Sequence, residues 1–437
     1  MKKLVFVFLP LLFLVFACSK KSSEVEKPIE EEIIAQEIET YFTLNVPENK
    51  FSDTTEAWVV FHDPNNNNVL DYQRLTNGTT YTFEKLKSDF FIASNISLLS
   101  IATDNGNTSL YISTYTFIDN GTEWTLDSPT APKFTPRENP TGALVIKANN
   151  LISPASYNVS NSFGSTLSGG ASISTVDQQT ALSFDNVLFF NDNRYLLSLF
   201  DANGDGKYMF LDDLTDGQIV TLDNTQLKTF DQTVPVYIPE GGEYYSSVFG
   251  YNKGQEYSQG NGYILNLIFP FDNEKITSGT LNLGYLNTLD RYITTFNYTK
   301  DKFNYSYKKY GEIPTRIFIG YPEEWNVEVT NESIHNFQFS GPSTNLFYTQ
   351  SHHWQTSSGT KDVDYSEIHW AVIHRGDYYP FSYQLPDEIL EAYPNLDING
   401  VAYKRSIFYL DRQSATAKYV DPNPNLLLDS ETVRIEN

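Results

Sequence analysis

The sequence has 437 residues and an excess of acidic side chains: 54 aspartates and glutamates against 30 lysines and arginines give a formal net charge of −24. This charge repels a phosphate backbone, which excludes nucleic acid as an expected partner. Hydrophobic residues make up 40% of the chain and aromatic residues 15%, so folded cores are expected rather than general disorder. The 30 tyrosines and 30 phenylalanines favour strands, and the length predicts about two to four domains.

The N-terminus, residues 1–17, has the layout of a secretory signal peptide. Two lysines precede an apolar run over residues 4–16, which is shorter than the roughly 20 residues that a membrane-spanning helix needs. The run ends in Ala17-Cys18, and Cys18 is the only cysteine of the chain. This ending resembles the lipobox of exported bacterial lipoproteins, which implies cleavage before Cys18 and attachment of lipid, including palmitate, to that residue.

Residues 18–39 form a charged segment of low complexity, which is typical of a flexible acidic tether between a lipid anchor and a folded body. Ser19 rather than aspartate follows the cysteine, and by analogy with lipoprotein sorting this favours transport to the outer membrane. We therefore predict a cell-envelope protein, located at the outer membrane, that contacts the membrane through its lipid anchor.

From residue 40 onward, short apolar or alternating runs are separated by clusters of Asn, Asp, Gly and Pro, a pattern typical of all-β domains. Residues 129–140 contain four prolines, a density that disfavours both a helix and a central strand, and we interpret them as a linker. The linker would separate a first β module, residues 40–128, from a second β module, residues 141–254.

One sequence pattern occurs in both modules. An Asp- and Asn-rich turn is followed by a strand and then by a Thr-Asn-Gly or Thr-Asp-Gly turn, over residues 61–78 and again over residues 200–217. Asn-Gly and Asp-Gly are favoured hairpin turns, so each copy predicts paired strands. In pattern, the two copies resemble the immunoglobulin-like sandwiches of bacterial surface proteins, which implies two tandem β-sandwich-like modules.

Residues 255–437 are rich in Tyr and Phe, and we expect them to form a larger β-rich C-terminal domain with one short helix. The helix is predicted between Pro386 and Tyr393, because Pro and two acidic residues would occupy its first turn and Pro394 would end it. The predicted fold class is thus mainly β, with two tandem β-sandwich-like modules followed by this domain.

The second module contains oxygen-bearing residues spaced as in an EF-hand calcium loop. Its predicted ligands are Asp201, Asn203, Asp205, the carbonyl group of Lys207, and Asp212. Ca²⁺ takes about six or more oxygen ligands, and alternate side chains of such a loop can converge on one ion. The alternative is an Asx-Gly turn between two strands that binds no ion. If calcium binds, we expect it to stabilise the module rather than to take part in chemistry.

Four of the six histidines lie between residues 352 and 374, among several carboxylates, and such a cluster invites a metal or acid-base interpretation. His352 and His353 are neighbours, however, and would point to opposite faces of a strand. His369 and His374 are an odd number of residues apart and would do the same. The spacing therefore predicts no convergent group of four histidines.

Four aromatic residues of the same region are candidate ligand-binding residues: Trp354, Trp370, Tyr378 and Tyr379. Beside polar groups, such rings suit stacking on a sugar ring or a peptide. The alternative is that they are core residues or cross-strand pairs.

The sequence contains no G-x-S-x-G, H-E-x-x-H or P-loop motif, so no catalytic residue is predicted. We expect a non-catalytic envelope lipoprotein with a binding or structural role, whose ligand is a polysaccharide or an envelope protein. One alternative is an envelope glycoside hydrolase, because paired carboxylates have no local signature. Another is a subunit of an outer-membrane complex, which would expose a large apolar patch.

Overall fold

The computed structural model describes the chain in ranges: 37–86, 93–126, 139–177, 179–191, 194–255, 261–361, 364–375, 383–410 and 429–437. Strands make up 59% of these residues and helices 6%, which confirms the mainly β class. Cys18, the signal peptide and most of the tether lie outside the described residues. Within the described ranges, no helix is both long enough and apolar enough to cross a membrane.

The described residues up to 126 form seven strands: β1 (Ile38–Val46), β2 (Thr55–His62), β3 (Val69–Leu75), β4 (Thr79–Leu86), β5 (Ala93–Asp104), β6 (Asn107–Asp119) and β7 (Thr122–Thr125). β1 lies between β4 and β7 in a three-stranded sheet. Phe42 of β1 makes edge-to-face contacts with Phe61 of β2 (5.4 Å between ring centroids) and Trp124 of β7 (5.3 Å). The small sheet thereby covers one face of β2, β5 and β6 with an aromatic core.

Nine strands lie between residues 142 and 229, in the larger part of the second predicted module: β8 (Gly142–Leu151), β9 (Pro154–Asn161), β10 (Gly164–Ser165), β11 (Ser172–Val176), β12 (Gln179–Phe189), β13 (Tyr195–Asp201), β14 (Gly206–Leu211), β15 (Ile219–Asp223) and β16 (Lys228–Thr229). They form two sheets with the orders β11-β12-β8-β15 and β10-β9-β13-β14-β16. Ile146, Phe184 and Leu197 meet in the core between these sheets. These nine strands form a β sandwich, in agreement with the sandwich-like fold class that the sequence predicts.

Twelve strands follow in the described residues beyond 230: β17 (Gln232–Tyr237), β18 (Glu243–Tyr251), β19 (Tyr263–Ile268), β20 (Thr280–Tyr285), β21 (Arg291–Lys300), β22 (Phe303–Gly311), β23 (Glu328–Asn331), β24 (Gln338–Ser340), β25 (Thr349–Ser358), β26 (Ser366–His374), β27 (Ala402–Tyr409) and β28 (Ser430–Glu436). β17 pairs with β20 and β23 with β24 in two small antiparallel sheets.

The helix α1 (Asp387–Ala392) lies where the sequence predicts it. Pro386 precedes its first turn, which contains two acidic residues. Leu385 and Ile389 are buried in the same core as Trp370, so this side of the helix packs against the core face of the protein. Four short 3-10 helices complete the described helical residues: Asn224–Gln226, Pro270–Lys275, Pro322–Trp325 and Ile398–Gly400.

A single twelve-stranded sheet joins the two ends of the chain, in the order β19-β18-β21-β22-β28-β27-β25-β26-β6-β5-β2-β3. The joint is the parallel pair β6–β26, in which Tyr111 lies opposite His369. The other neighbouring strands of this sheet are antiparallel. The sheet therefore combines strands of the first predicted module, the last strand of the second (β18) and strands of the C-terminal domain.

The two faces of the twelve-stranded sheet differ in their environment. One face, the core face, carries large buried side chains such as Trp354, Trp370 and Phe408. Among the described residues, β4, β1 and β7 cover the other face at the end formed by β2, β5 and β6. Over the strands from β18 to β6 it carries half-exposed or exposed side chains, and we call it the open face: Tyr111, Tyr245, Asn297, Asn304, Ser306, His353, Gln355, Glu367, His369, Arg405, Tyr409, Thr432 and Arg434.

The edge strand β19 is covered by serine hydroxyl groups of the second module. Ser156 and Ser198 donate to the carbonyl oxygens of Leu267 (2.5 Å) and Ile264 (2.8 Å). The N–H of Ile264 donates to Ser160 Oγ at 2.9 Å. Side chains of the sandwich thus bind backbone groups that an uncovered edge strand would present to solvent or to another chain.

Candidate functional site

The predicted calcium loop is a tight turn between β13 and β14. One carboxylate oxygen of Asp201 accepts the backbone N–H groups of Asn203 (2.9 Å) and Asp205 (3.1 Å). The carboxylate of Asp205 accepts a hydrogen bond from the side-chain amide of Asn282 at 2.7 Å. Gly204 has a φ of +80°, which suits glycine in such a turn. These contacts match the Asx-Gly alternative.

The structure does not bring the five predicted calcium ligands together. Asp212 lies at the far end of β14, about 20 Å from the loop at roughly 3.3 Å per strand residue, and both of its oxygens accept hydrogen bonds from Arg194 (2.7 and 2.9 Å). In the described ranges, no group of three or more His, Cys, Asp or Glu side chains could hold a metal ion. Calcium binding by Asp201, Asn203 and Asp205 stays a prediction.

Trp354 and Trp370 are core residues rather than a stacking surface. They lie opposite each other in β25 and β26, and each is 1% exposed. The indole N–H of Trp354 donates to the Glu332 carbonyl oxygen at 2.7 Å, and that of Trp370 donates to Thr114 Oγ1 at 3.0 Å. Neither ring has a face open to a ligand, which corrects their assignment as ligand-binding residues. Tyr378 and Tyr379 lie outside the described residues.

The four histidines separate into two pairs on opposite faces, as their spacing predicts. His352 and His374 lie on the core face, with ring centroids 5.1 Å apart, and His352 Nδ1 is 2.6 Å from Ser406 Oγ. Burial lowers the pKa of His352 well below its usual range, so this ring is neutral at pH 7. His353 and His369 lie on the open face. The structure therefore does not form a convergent group of four.

On the open face, Tyr111 and His369 form a stacked pair. Their ring centroids are 4.8 Å apart and their planes differ by 4°. Glu367 lies beside them: its Oε1 accepts hydrogen bonds from Ser109 Oγ (2.8 Å) and the Tyr111 hydroxyl (3.1 Å), and its Oε2 is 3.4 Å from His369 Nε2. The carboxylate thus fixes both rings of the pair, which we call the Tyr111–His369 pair.

A depression of about 300 Å³ adjoins this pair. Its polar lining comes from four strands of the sheet: Tyr111, Ser113, His353, Gln355, His369, Lys404 and Arg405. Burial, and then the positive charges of Arg405 and Arg434, lower the pKa of His353 to about 4, so its ring is neutral at pH 7. Among the described residues Arg405 forms no ion pair, and its Nε is buried without a hydrogen-bond partner. The depression thus combines ring surfaces, neutral hydrogen-bonding groups and a guanidinium group.

The protonation of Glu367 bears on the chemistry of this site. Burial alone would raise its pKa, but hydrogen bonds from Ser109, Tyr111 and His369 outweigh burial and lower the pKa. A general acid for glycoside hydrolysis needs a carboxyl pKa shifted upward, toward the working pH. Glu367 is an ionised carboxylate that orients its neighbours, which suits ligand binding better than proton donation.

No protein-family model matches the chain, and comparison with curated proteins gives no match. The geometry of the open face is therefore the main basis for assigning a function.

Sequence reasoning missed Tyr111 and Arg405. Tyr111 is separated from Glu367 by 256 residues and meets it only through the parallel pairing of β6 with β26. The sequence signal for Tyr111 was an aromatic residue in a strand whose apolar and polar residues alternate, at a position that the alternation places on the solvent-facing side beside polar residues. Such a signal identifies an exposed ring but not its partners.

Proposed function

We propose that this chain is a lipid-anchored protein of the bacterial cell envelope that binds a carbohydrate at the open face without catalysing a reaction on it. The Tyr111–His369 pair beside the 300 Å³ depression is the observation that carries this proposal. Sugar rings have apolar C–H faces and polar rims, so they suit a site that offers ring surfaces next to hydrogen-bonding groups.

The site has the properties expected of a preformed binding surface. Tyr111 is 46% exposed, yet its hydroxyl group is held by Glu367 and its ring by His369. A side chain that is already fixed loses little conformational entropy when a ligand binds. The polar groups of Gln355 and Arg405 lie at the same depression and can accept or donate hydrogen bonds to a saccharide.

The carbohydrate proposal is tested by native electrophoresis of the mature chain through gels that contain a soluble polysaccharide, either a neutral glucan or polygalacturonate. We expect retardation of the wild-type chain and loss of most of it in Tyr111→Ala. The matched control is Tyr237→Ala, because Tyr237 is also an exposed strand tyrosine but lies outside the open face. Equal mobility of all three proteins in every gel would contradict the proposal, and sugar release from the gel polymer would favour the hydrolase alternative.

The membrane part of the proposal rests on Cys18, the single cysteine at the end of the signal segment. Expression of the full chain in a bacterium with metabolic labelling by an alkyne fatty acid should label the wild type and not Cys18→Ser. The labelled wild type should sediment with membranes. Membrane association of the unlabelled Cys18→Ser variant at the wild-type level would contradict the lipid anchor.

A further inference from the structure

A second group of exposed aromatic rings lies on the same sheet, at its opposite end. The rings of Phe269 and Phe271 are stacked with centroids 5.3 Å apart and an angle of 11° between their planes. Tyr245 of β18 lies 5.8 Å from Phe269. Phe271 is 72% exposed, so the group presents a ring face to solvent. We call these three residues the Phe271 platform.

The Phe271 platform is held in place by hydrogen bonds of the short helix Pro270–Lys275. Asn273 accepts the backbone N–H of Tyr244 at 2.7 Å and donates to the carbonyl oxygen of the same residue at 3.1 Å. Lys275 and Asp272 form an ion pair at 2.8 Å within the helix. The exposed rings are therefore fixed to β18 rather than carried by an unattached loop.

Polar side chains of the open face lead away from the platform. Tyr245 lies opposite Asn297, and the hydroxyl group of Ser306 donates to Asn297 Oδ1 at 2.8 Å. On the same strand as Ser306, Asn304 lies opposite Arg434 of β28. Each of these residues is half-exposed or exposed, so the row can be reached from solvent.

The same path continues to the Tyr111–His369 pair. Arg434 lies opposite Ile407 of the neighbouring strand β27. Arg405 is two residues from Ile407 on that strand and is therefore the next side chain on the open face. Arg405 lies opposite His353 of β25, and His369 of β26 lies opposite Tyr111 of β6. A diagonal of polar side chains therefore connects the two aromatic groups across eight neighbouring strands.

The length of this diagonal exceeds the size of one sugar. Seven interstrand spacings of about 4.8 Å give roughly 34 Å perpendicular to the strands. The diagonal also moves about 20 Å parallel to the strands between Tyr245 and Tyr111, at roughly 3.3 Å per residue. A monosaccharide can touch only one of the two aromatic groups, whereas an extended polymer can touch both. Simultaneous contact at both ends would raise the affinity for long chains through the high effective concentration of the second contact.

The charge of the path indicates the class of polymer. The chain as a whole carries a net charge of −24, but two guanidinium groups, Arg405 and Arg434, lie near the middle of the diagonal. Arg434 pairs with Glu436 at 2.9 Å, while Arg405 forms no ion pair among the described residues. A guanidinium group without an ion pair in the described part of the chain suits the carboxylate of a ligand, which it can bind through two parallel hydrogen bonds.

We propose that the open face is an extended binding track for an acidic polysaccharide, with the Tyr111–His369 pair at one end, the Phe271 platform at the other and Arg405 as the carboxylate contact between them. This inference rests on the proposed carbohydrate function and adds the length and the charge of the ligand.

The test is calorimetric titration of the mature chain with galacturonate oligomers, from the disaccharide to chains long enough to span the track. We expect affinity to rise at least tenfold with length. Phe271→Ala should lower the affinity for the longest oligomer about tenfold and leave the disaccharide unchanged, whereas Tyr111→Ala should weaken both. Arg405→Gln should remove the preference for galacturonate oligomers over neutral oligomers of the same length. Tyr237→Ala is the control.

The possible outcomes distinguish failure of the extended binding track from failure of the carbohydrate site at Tyr111. Binding that is independent of length, with no effect of Phe271→Ala on the longest oligomer, would overturn the track while leaving a carbohydrate site at Tyr111 intact. Equal affinity for neutral and acidic oligomers would overturn the choice of an acidic polymer. Failure of every oligomer to bind would overturn the proposed function together with the track.

Discussion

Strands β25 and β26 carry histidines on both faces of the sheet, and the surroundings of these histidines differ between the faces. On the core face, His352 and His374 lie with Trp354 and Trp370 among buried aromatic rings. On the open face, His353 and His369 lie at a depression beside the exposed Tyr111. Neighbouring residues of one strand thus differ in whether they are buried in the core or lie on the open face, because successive side chains point to opposite faces. Residue type alone does not identify a binding residue.

The largest expected effect comes from removing a buried ring of the core face. Trp370→Ala should lower the free energy of unfolding by about 3–5 kcal/mol, because it leaves a cavity and removes the hydrogen bond to Thr114. Tyr111→Ala on the open face should cost about 1 kcal/mol or less. Urea unfolding monitored by circular dichroism measures both. If Trp370→Ala does not fold, Trp370→Phe provides the comparison, and a loss no greater than that of Tyr111→Ala would contradict the assignment of the two faces.

The buried histidines should make the fold sensitive to acid. Burial lowers the pKa of His62 from 6.5 to about 4, so the folded state keeps this ring neutral while the unfolded chain binds a proton below pH 6.5. Stability is therefore full above about pH 6.5 and falls as the pH drops toward 4, by about 3 kcal/mol for His62 alone at roughly 1.4 kcal/mol per pKa unit. His352 has a pKa shifted in the same direction and adds to the loss.

A pair of variants sharpens this acid effect. His62→Gln should reduce the slope of unfolding free energy against pH between 4 and 6.5, whereas Ser306→Ala on the open face, which removes no titratable group, should keep the wild-type slope. Urea titrations at several pH values provide the measurement. The same slope in the wild type and in His62→Gln would show that burial of this ring does not cause the pH dependence.

A smaller effect is expected at the covered edge strand β19. Ser198→Ala removes the donor to the carbonyl oxygen of Ile264, a buried contact, and should cost about 1–3 kcal/mol. Ser306→Ala on the open face removes a bond to Asn297 near solvent and should cost about 0.5 kcal/mol or less. Thermal unfolding of both variants checks the difference. Equal losses would mean that the hydroxyl groups of the sandwich do not stabilise the edge strand.

The sequence predicted those features that depend on neighbouring residues. Composition and turn residues predict the mainly β class, the pattern at Pro386 predicts α1, and odd spacing predicts that the histidines divide between two faces. The sequence did not predict that β6 pairs with β26, because this register is set by packing between segments more than 250 residues apart. For the same reason, the sequence did not indicate that Trp354 and Trp370 point into the core rather than toward a ligand. The calcium-loop spacing counted Asp212 as a ligand, but β14 is an extended strand and carries Asp212 away from the loop.

The most direct test of the difference between the faces is residue-resolved modification of histidines by diethyl pyrocarbonate, with and without polygalacturonate. We expect His369 to react in the free protein and to be protected by the polymer, while His62 and His352 stay unreactive in both conditions because they are buried. Retention of polymer binding with no change in the reactivity of His369 would contradict the assignment of the open face as the binding surface.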